Sequence, residues 1–335
     1  MKISNKIALE EHIATPATVG DSQRYFTPEV WPKFEKYLLD IHGQLLHDMD
    51  ETGVELSILS MNSPSIQAIP NRKQAFEVAR AANDYMAEQV AKNPKRFQAF
   101  ACLPLQDPEV ANRELVRCVK ELGMKGTLVN GFSQVDTENN VVYYDAPQYL
   151  DFWGTLESLD VPFYMHPRDP LPSRIPHLDG HPWLTGSIWA FGMETATHAL
   201  RLICSGLFDR YPKLTVILGH LGETLPNNMW RIDHRIAITP MGVPIKRKIS
   251  EYLRENFYFT TSGNYCTGTL VNDVLEVGAD RLMFSCDYPF ETFKEACGWF
   301  DGVDAISMTD KMKIARSNAI KLFKLDKPKC CVAKA

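Results

Sequence analysis

Residues of the types that commonly bind metal ions lie close to the ends of several apolar runs in this sequence. Glu10 and His12 end the first run, His166 ends a later one, and Asp287 lies in the last. Because side chains alternate along a strand, Glu10 and His12 share one face, and Glu11 points to the other, where we expect a structural ion pair. Two histidines and two carboxylates suit zinc or manganese, with magnesium a poorer fit. These four residues therefore predict a site for one divalent ion.

A histidine and a glutamate three residues apart indicate proton transfer beside that site. His220 ends another apolar run, and Glu223 follows about one helical turn later, where it can orient the imidazole as a general acid or base. Asn130 is a further polar residue at the end of a run. One strand-end histidine usually has a structural role, but a whole set buried without a metal or substrate would leave several polar groups unpaired. We therefore interpret the set as a functional site.

Eight short apolar runs, rich in β-branched residues, are predicted to be the strands that position these side chains. They span residues 6–12, 55–61, 97–105, 125–131, 161–167, 214–220, 257–263 and 281–289. Helical patterns separate them, which predicts an α/β fold with a parallel sheet and outer helices. Eight repeats favour a closed (β/α)₈ TIM barrel over an open sheet, and no GxGxxG motif supports dinucleotide binding. In such a barrel the strand ends meet at one face.

The chain is expected to form one catalytic domain. Its 335 residues would allow two ordinary domains, but no glycine-, serine- or proline-rich linker divides them. The barrel is predicted to span residues 1–325, and residues 326–335 are expected to be a disordered tail. Two long excursions, residues 16–44 and 168–189, follow strand ends and are expected to help build the site.

Amino-acid composition limits the classes of binding partner and the cellular compartment that we expect. A net charge of −5 without a basic stripe argues against nucleic-acid and anionic-membrane surfaces. There is no run of 18 apolar residues and no signal-peptide pattern at the start. The eight cysteines form no CxxC pair, which favours free thiols in a reducing compartment. We expect a cytoplasmic protein whose partner is a small molecule.

The segments around the candidate residues resemble the decarboxylase branch of the metal-dependent amidohydrolase superfamily. The matching segments are residues 8–12, 161–167, 217–223 and 284–291. Within that branch the chain is most similar to the γ-resorcylate (2,6-dihydroxybenzoate) decarboxylases, on residues 130–134, 179–184 and 229–235. The resemblance extends along the chain to about Leu325.

This resemblance implies an amidohydrolase-like barrel, one divalent metal ion, no organic cofactor and a homotetramer. The implied reaction is the nonoxidative, reversible decarboxylation of an ortho-hydroxybenzoate, with 2,6-dihydroxybenzoate as the first candidate. The implied metal ligands are Glu10, His12, His166 and Asp287. The implied catalytic pair is His220 and Glu223, and the implied substrate-binding residues are Asn130, Arg231 and, as a weaker match, Phe26. The chemistry of such a reaction leads us to expect Asp287 as the catalytic proton donor and Phe290 beside Phe26 in an apolar pocket for the ring.

Three features distinguish this chain from other members of the superfamily, at His12, at Glu10 and in the fourth strand. Relatives that act on 2,3-dihydroxybenzoate or salicylate typically have alanine in place of His12, which favours the γ-resorcylate group. Glu10 replaces the first histidine of the usual HxH motif, and the fourth strand offers no bridging lysine. The glutamate at residue 10 and the missing lysine argue against a hydrolase with two metal ions.

Other functions stay open at this point. The substrate could instead be 2,3-dihydroxybenzoate, salicylate or 5-carboxyvanillate. The same barrel could use a metal-activated hydroxide to hydrolyse a lactone or an amide. A catalytically silent binding protein is a third alternative, which the intact set of strand-end residues disfavours.

Overall fold

The computed structural model describes residues 2–325, so the predicted tail lies outside the described residues. Eight parallel strands follow one another around a barrel in chain order. They are β1 (Lys6–Ile13), β2 (Val54–Met61), β3 (Phe97–Ala99), β4 (Thr127–Asn130), β7 (Phe163–His166), β8 (Val216–Leu218), β9 (Phe257–Thr260) and β10 (Leu282–Met283). A hairpin of β5 (Ser133–Val135) and β6 (Thr137–Val142) follows β4. The predicted (β/α)₈ class is confirmed.

The junction between β10 and β1 uses side chains instead of a regular ladder. The amide of Glu10 donates to Ser285 Oγ at 2.8 Å, and the amide of His12 donates to the carbonyl of Tyr288 at 2.6 Å. Glu11 accepts hydrogen bonds from the amides of Cys286 and Tyr288 at 3.0 and 3.1 Å. The expectation of an ion pair for Glu11 was therefore wrong, because backbone amides at this junction satisfy its carboxylate.

Helices surround the barrel. They are α1 (Trp31–Leu39), α2 (Leu46–Thr52), α3 (Arg72–Lys92), α4 (Pro108–Lys120), α5 (Leu150–Leu159), α6 (Ala190–Cys204), α7 (Leu207–Arg210), α8 (Leu225–Ile238), α9 (Ile249–Asn256), α10 (Thr267–Glu276), α11 (Phe293–Gly302), α12 (Met308–Met312) and α13 (Asn318–Phe323). Between residues 2 and 325, no helix combines the length and apolar character needed to cross a membrane.

Six of the eight predicted strands are shorter than expected, the third and the eighth by the most. The strand predicted over residues 97–105 ends at Ala99, and the one predicted over residues 281–289 ends at Met283. The amide of Cys102 donates to the side chain of Asn83 at 2.9 Å. The amide of Phe284 donates to the carbonyl of Ile314 at 2.8 Å. Beyond Ala99 and Met283 these backbone amides therefore bond to groups outside the sheet. The apolar run of each segment is longer than its hydrogen-bonded strand for this reason.

Both long excursions reach the C-terminal end of the barrel. The first contains α1 and brings Phe26 onto Phe290, which follows β10, with ring centroids 5.9 Å apart. The second contains short 3₁₀ turns, and its Trp189 lines a cavity of about 530 Å³ together with His220 and Glu223. As expected, these excursions add walls to the face where the strands end.

One buried carboxylate on the outer helices predicts a measurable pH dependence of stability. Asp273 on α10 is fully buried, and its Oδ2 atom accepts no hydrogen bond from the described part of the chain. Burial raises the pKa of Asp273 from 3.8 to about 7. Between these two values the folded state keeps a proton that the unfolded chain releases, so stability falls as pH rises. Asp273→Asn removes this effect.

We therefore expect the stability of Asp273→Asn relative to the wild type to increase by about 3 kcal/mol as the pH rises from 5 to 8, and to stay constant above pH 8. Urea unfolding at several pH values measures this difference. Asp151→Asn, at an exposed position on α5, is the matched control. A constant difference between Asp273→Asn and the wild type across this range would contradict the prediction.

Candidate metal centre and active site

Four ligand-type side chains converge at the C-terminal end of the barrel. Glu10 and His12 come from β1, His166 ends β7, and Asp287 follows β10. One ligand atom from each lies within 4.8 Å of the others. His166 Nε2 is 3.3 Å from Glu10 Oε1, and His12 Nε2 is 3.3 Å from Asp287 Oδ1. The structure thus brings together the four residues that the sequence predicted as metal ligands.

The polar atoms at the centre of this cluster fit a bound cation. Glu10 Oε1, His12 Nε2 and Asp287 Oδ1 are buried and make no hydrogen bond to any of the described residues. A buried polar atom without a partner costs about 1–3 kcal/mol, and several such atoms facing one another are rarely tolerated. One divalent ion would satisfy them together, so the donor set fits a single metal ion.

The electrostatics around Glu10 and His166 favour the forms of these two side chains that bind a metal. Burial alone would raise the pKa of Glu10, but His220, His166 and His12 around it lower that pKa well below its ordinary value. Burial, together with the nearby charge of His12, lowers the pKa of His166. An ionised carboxylate and a neutral imidazole are the states that metal coordination requires.

A hydrogen bond on the side of the ring that faces away from the cluster orients the imidazole of His12. Its Nδ1 atom lies 3.1 Å from Ser60 Oγ on β2, which leaves Nε2 facing the cluster. Burial would lower the pKa of His12, but the adjacent Asp287 carboxylate raises it. A divalent ion between these two groups would take the place of that proton.

His220 and Glu223 form the predicted pair. His220 Nδ1 lies 2.7 Å from Glu223 Oε1, and His220 Nε2 lies 3.6 Å from both Asp287 Oδ2 and Glu10 Oε1. Burial would lower the pKa of His220, but the carboxylates of Glu223 and Glu10 raise it well above its ordinary value. The imidazole can therefore hold a proton next to Asp287.

An unusual turn presents His220 to the cluster. All five residues from His220 to Thr224 have positive φ angles, and four of them are not glycine. Each such non-glycine residue costs about 1–3 kcal/mol and persists only when surrounding contacts impose it. This turn connects the end of β8 to α8 and allows Glu223 to reach back to His220.

Two predicted aromatic residues form an apolar wall beside the ligands. The ring of Phe290 lies 5.7 Å from that of His12, and Phe26 stacks on Phe290. Phe34 on α1 packs against Phe26 with ring centroids 4.3 Å apart. An aromatic ring could pack against this wall next to the candidate metal ligands.

Of the two predicted polar substrate contacts, one lies at the site and the other does not. Asn130 pairs with His166 in the β4–β7 register, and its Oδ1 atom is buried without a hydrogen-bond partner in the segment from residue 2 to residue 325. Arg231 is exposed on α8, and it has no hydrogen bond or ion pair among residues 2–325. Met229 occupies the buried face of α8, and a residue two positions later points elsewhere. The role of Arg231 stays a prediction.

Sequence reasoning did not assign a role to two hydroxyl residues that contact Glu10. Tyr164 Oη and Ser262 Oγ both hydrogen bond to Glu10 Oε2. Tyr164 precedes His166 by two residues on β7 and so shares its inward face, a signal that the sequence did contain. Ser262 lies near the end of the strand predicted over residues 257–263, which is a comparable signal, although β9 itself ends at Thr260.

Comparison with known proteins identifies the family. The amidohydrolase family model matches residues 47–325. The γ-resorcylate decarboxylase of Polaromonas sp. (strain JS666 / ATCC BAA-500) is 56% identical over 328 residues, which cover 97% of this chain and 100% of the relative. The chain therefore belongs to the amidohydrolase family. Within it, four relatives at 52–56% identity are named γ-resorcylate decarboxylase, which confirms the resemblance to the decarboxylase branch.

Solved structures agree with this placement. A 2,6-dihydroxybenzoate decarboxylase in complex with 2,6-dihydroxybenzoate matches with a TM-score of 0.95 at 54% identity, covering 96% of this chain and 100% of the other. A dihydroxybenzoic acid decarboxylase from Polaromonas sp. JS666, with bound manganese and the inhibitor 2-nitroresorcinol, matches with a TM-score of 0.95 at 55% identity, covering 97% and 98%.

Proposed function

We propose that this chain catalyses the nonoxidative, reversible decarboxylation of 2,6-dihydroxybenzoate to resorcinol and CO₂. The observation that carries the proposal is the buried convergence of Glu10, His12, His166 and Asp287, in a chain with such high identity to decarboxylases of this substrate. The apolar wall of Phe26 and Phe290 beside these ligands suits an aromatic substrate.

A divalent ion, Mn²⁺ or Zn²⁺, held by these four residues would act as a Lewis acid on the carboxylate and ortho-phenol oxygens of the substrate. The chain's own residues supply the remaining chemistry. Direct loss of CO₂ would leave an unstable aryl anion, so the ring carbon that bears the carboxylate is protonated first. Electrons from the ortho oxygen flow into the ring as that carbon accepts the proton. Loss of CO₂ then restores aromaticity.

Asp287 is the proposed proton donor. Its Oδ2 atom faces His220 Nε2 at 3.6 Å, so His220 can return a proton to Asp287 between turnovers. Glu223 accepts the Nδ1 proton of His220 and thereby leaves Nε2 facing Asp287. These three residues form a proton path from the ring carbon to the cavity that His220 and Glu223 line.

The remaining predicted contacts would orient the substrate. The free Oδ1 atom of Asn130 can accept a hydrogen bond from a ring hydroxyl. Arg231 is exposed in the single chain, so we propose that it acts within the predicted homotetramer. Large apolar side chains exposed on α8 and the second excursion, including Trp230 at 73% and Trp189 at 52%, support subunit contacts there.

Turnover in D₂O tests this reaction. We expect resorcinol that carries one deuterium on the carbon between the two hydroxyls, because the new hydrogen comes from a donor that exchanges with solvent. NMR of the early product measures this, with resorcinol alone as the control for uncatalysed exchange. A hydrolase would place no new hydrogen on carbon.

Other outcomes would change the assignment. Protium at that carbon at early times would exclude a solvent-exchanged donor. An intact substrate would direct the test to 2,3-dihydroxybenzoate, salicylate and 5-carboxyvanillate, and then to lactones. Turnover of 4-hydroxybenzoate at a comparable rate would contradict the requirement for an ortho hydroxyl.

A further inference from the structure

One oxygen of the Glu10 carboxylate is fully occupied by the barrel itself. Glu10 Oε2 accepts hydrogen bonds from Tyr164 Oη and from Ser262 Oγ, the second at 2.6 Å. Tyr164 Oη also lies 2.8 Å from Thr260 Oγ1, which lies 2.9 Å from Ser262 Oγ. The three hydroxyls are buried and form a closed polar network around Oε2.

The number of protons fixes the direction of these hydrogen bonds. An ionised carboxylate can only accept, so Tyr164 and Ser262 must both donate their single hydroxyl protons to Glu10. Their oxygens can then accept, and Ser262 Oγ does accept the amide of His220 at 3.2 Å. Both donors are therefore committed to Oε2, whereas Oε1 has no hydrogen-bond partner among residues 2–325.

The neighbouring backbone leaves space for this arrangement only because residue 219 is glycine. A Cβ atom on Gly219 would lie 2.6 Å from Glu10 Oε2 and 2.9 Å from Ser262 Oγ. Contacts that short do not occur, so a side chain at residue 219 would displace the carboxylate or the hydroxyl. The end of β8 thus confines the carboxylate from a third side.

We infer that Tyr164 and Ser262 are positioning residues that make Glu10 a one-oxygen metal ligand with a fixed direction. The inference rests on the metal site of the proposed function. Both hydroxyls hold Oε2 away from the ion and aim the free lone pairs of Oε1 toward His12 and His166. Without them the carboxylate can rotate, and its loss of order weakens metal binding. Such partners of ligands typically contribute 10–100-fold to metal affinity.

Calorimetric titration with Mn²⁺ alone tests the inference without an activity assay. Metal-free wild type is compared with Tyr164→Phe and Ser262→Ala, with Glu10→Gln as the reference for a lost ligand. Tyr258→Phe is the matched control, because Tyr258 is buried on β9 and its hydroxyl makes no hydrogen bond to any described residue. Ser57→Ala, which removes a buried hydroxyl that contacts Met49, is the control for Ser262→Ala.

We expect Tyr164→Phe and Ser262→Ala each to weaken Mn²⁺ binding about 10–100-fold, with both controls within about twofold of wild type. A merely structural role would lower the unfolding midpoint and leave the Mn²⁺ affinity of the folded protein unchanged. Wild-type affinity in both variants would overturn the inference and leave the metal site intact. Failure of the wild type itself to bind Mn²⁺ would overturn both this inference and the metal site of the proposed function. If one variant does not fold, the other decides.

Discussion

Asp287→Asn is expected to remove nearly all turnover of 2,6-dihydroxybenzoate. Asparagine has almost the same size and lies at the same place beside His12 and His220, but it cannot donate the carboxyl proton that the ring carbon needs. General acid catalysis contributes about 10²–10⁴-fold, and Asp287 is also a proposed metal ligand. The loss should therefore reach at least the upper end of that range. Measurement of kcat, with metal content determined on the same sample, checks this.

Two further variants distinguish the proton donor, Asp287, from His220, the residue proposed to reprotonate it. His220→Ala should cost about 10²–10⁴-fold in kcat, because Asp287 would lose its route for reprotonation. Asp151→Asn, an exposed substitution of the same type, should leave kcat unchanged. Near-normal kcat in Asp287→Asn would show that another residue donates the proton, with His220 as the first candidate.

Removal of the divalent ion is the second change with a large expected effect. Purified protein should contain about one divalent ion per chain, since the ligand atoms of the four candidate residues lie within 4.8 Å of one another. Exhaustive chelation should abolish CO₂ release, and added Mn²⁺ should restore it. Elemental analysis and a CO₂ assay on the same preparation measure both quantities.

The Glu10→Gln variant tests whether the activity lost on chelation depends on an ion at the proposed site. Glutamine keeps the shape of the side chain but removes the charge that offsets the cation, so Mn²⁺ should restore far less activity. Full activity of a demonstrably metal-free wild type would contradict the metal site. Equal rescue of wild type and Glu10→Gln at the same Mn²⁺ concentration would place the ion elsewhere.

The sequence by itself determined the barrel and the four candidate metal ligands that the structure brings together, because both follow from short-range patterns. Alternation along β1 put Glu10 and His12 on one face, and the eight-fold repeat placed the ends of the strands at one end of a barrel. His166 and Asp287 could then be assigned from their places at strand ends. The pairing of His220 with Glu223 followed from a spacing of three residues.

Only the tertiary structure decided how these groups are held, because the partners are remote in the chain. Tyr164 and Ser262 reach Glu10 across separations of 154 and 252 residues, and no periodicity in the sequence links such positions. Glu11 was likewise mispredicted, since its partners are amides at the junction 275 and 277 residues away. The exposure of Arg231 depends on how α8 packs, with Met229 inward. Local patterns specify the kind of side chain and its face, whereas the packing of distant segments decides which atoms stay free to bind.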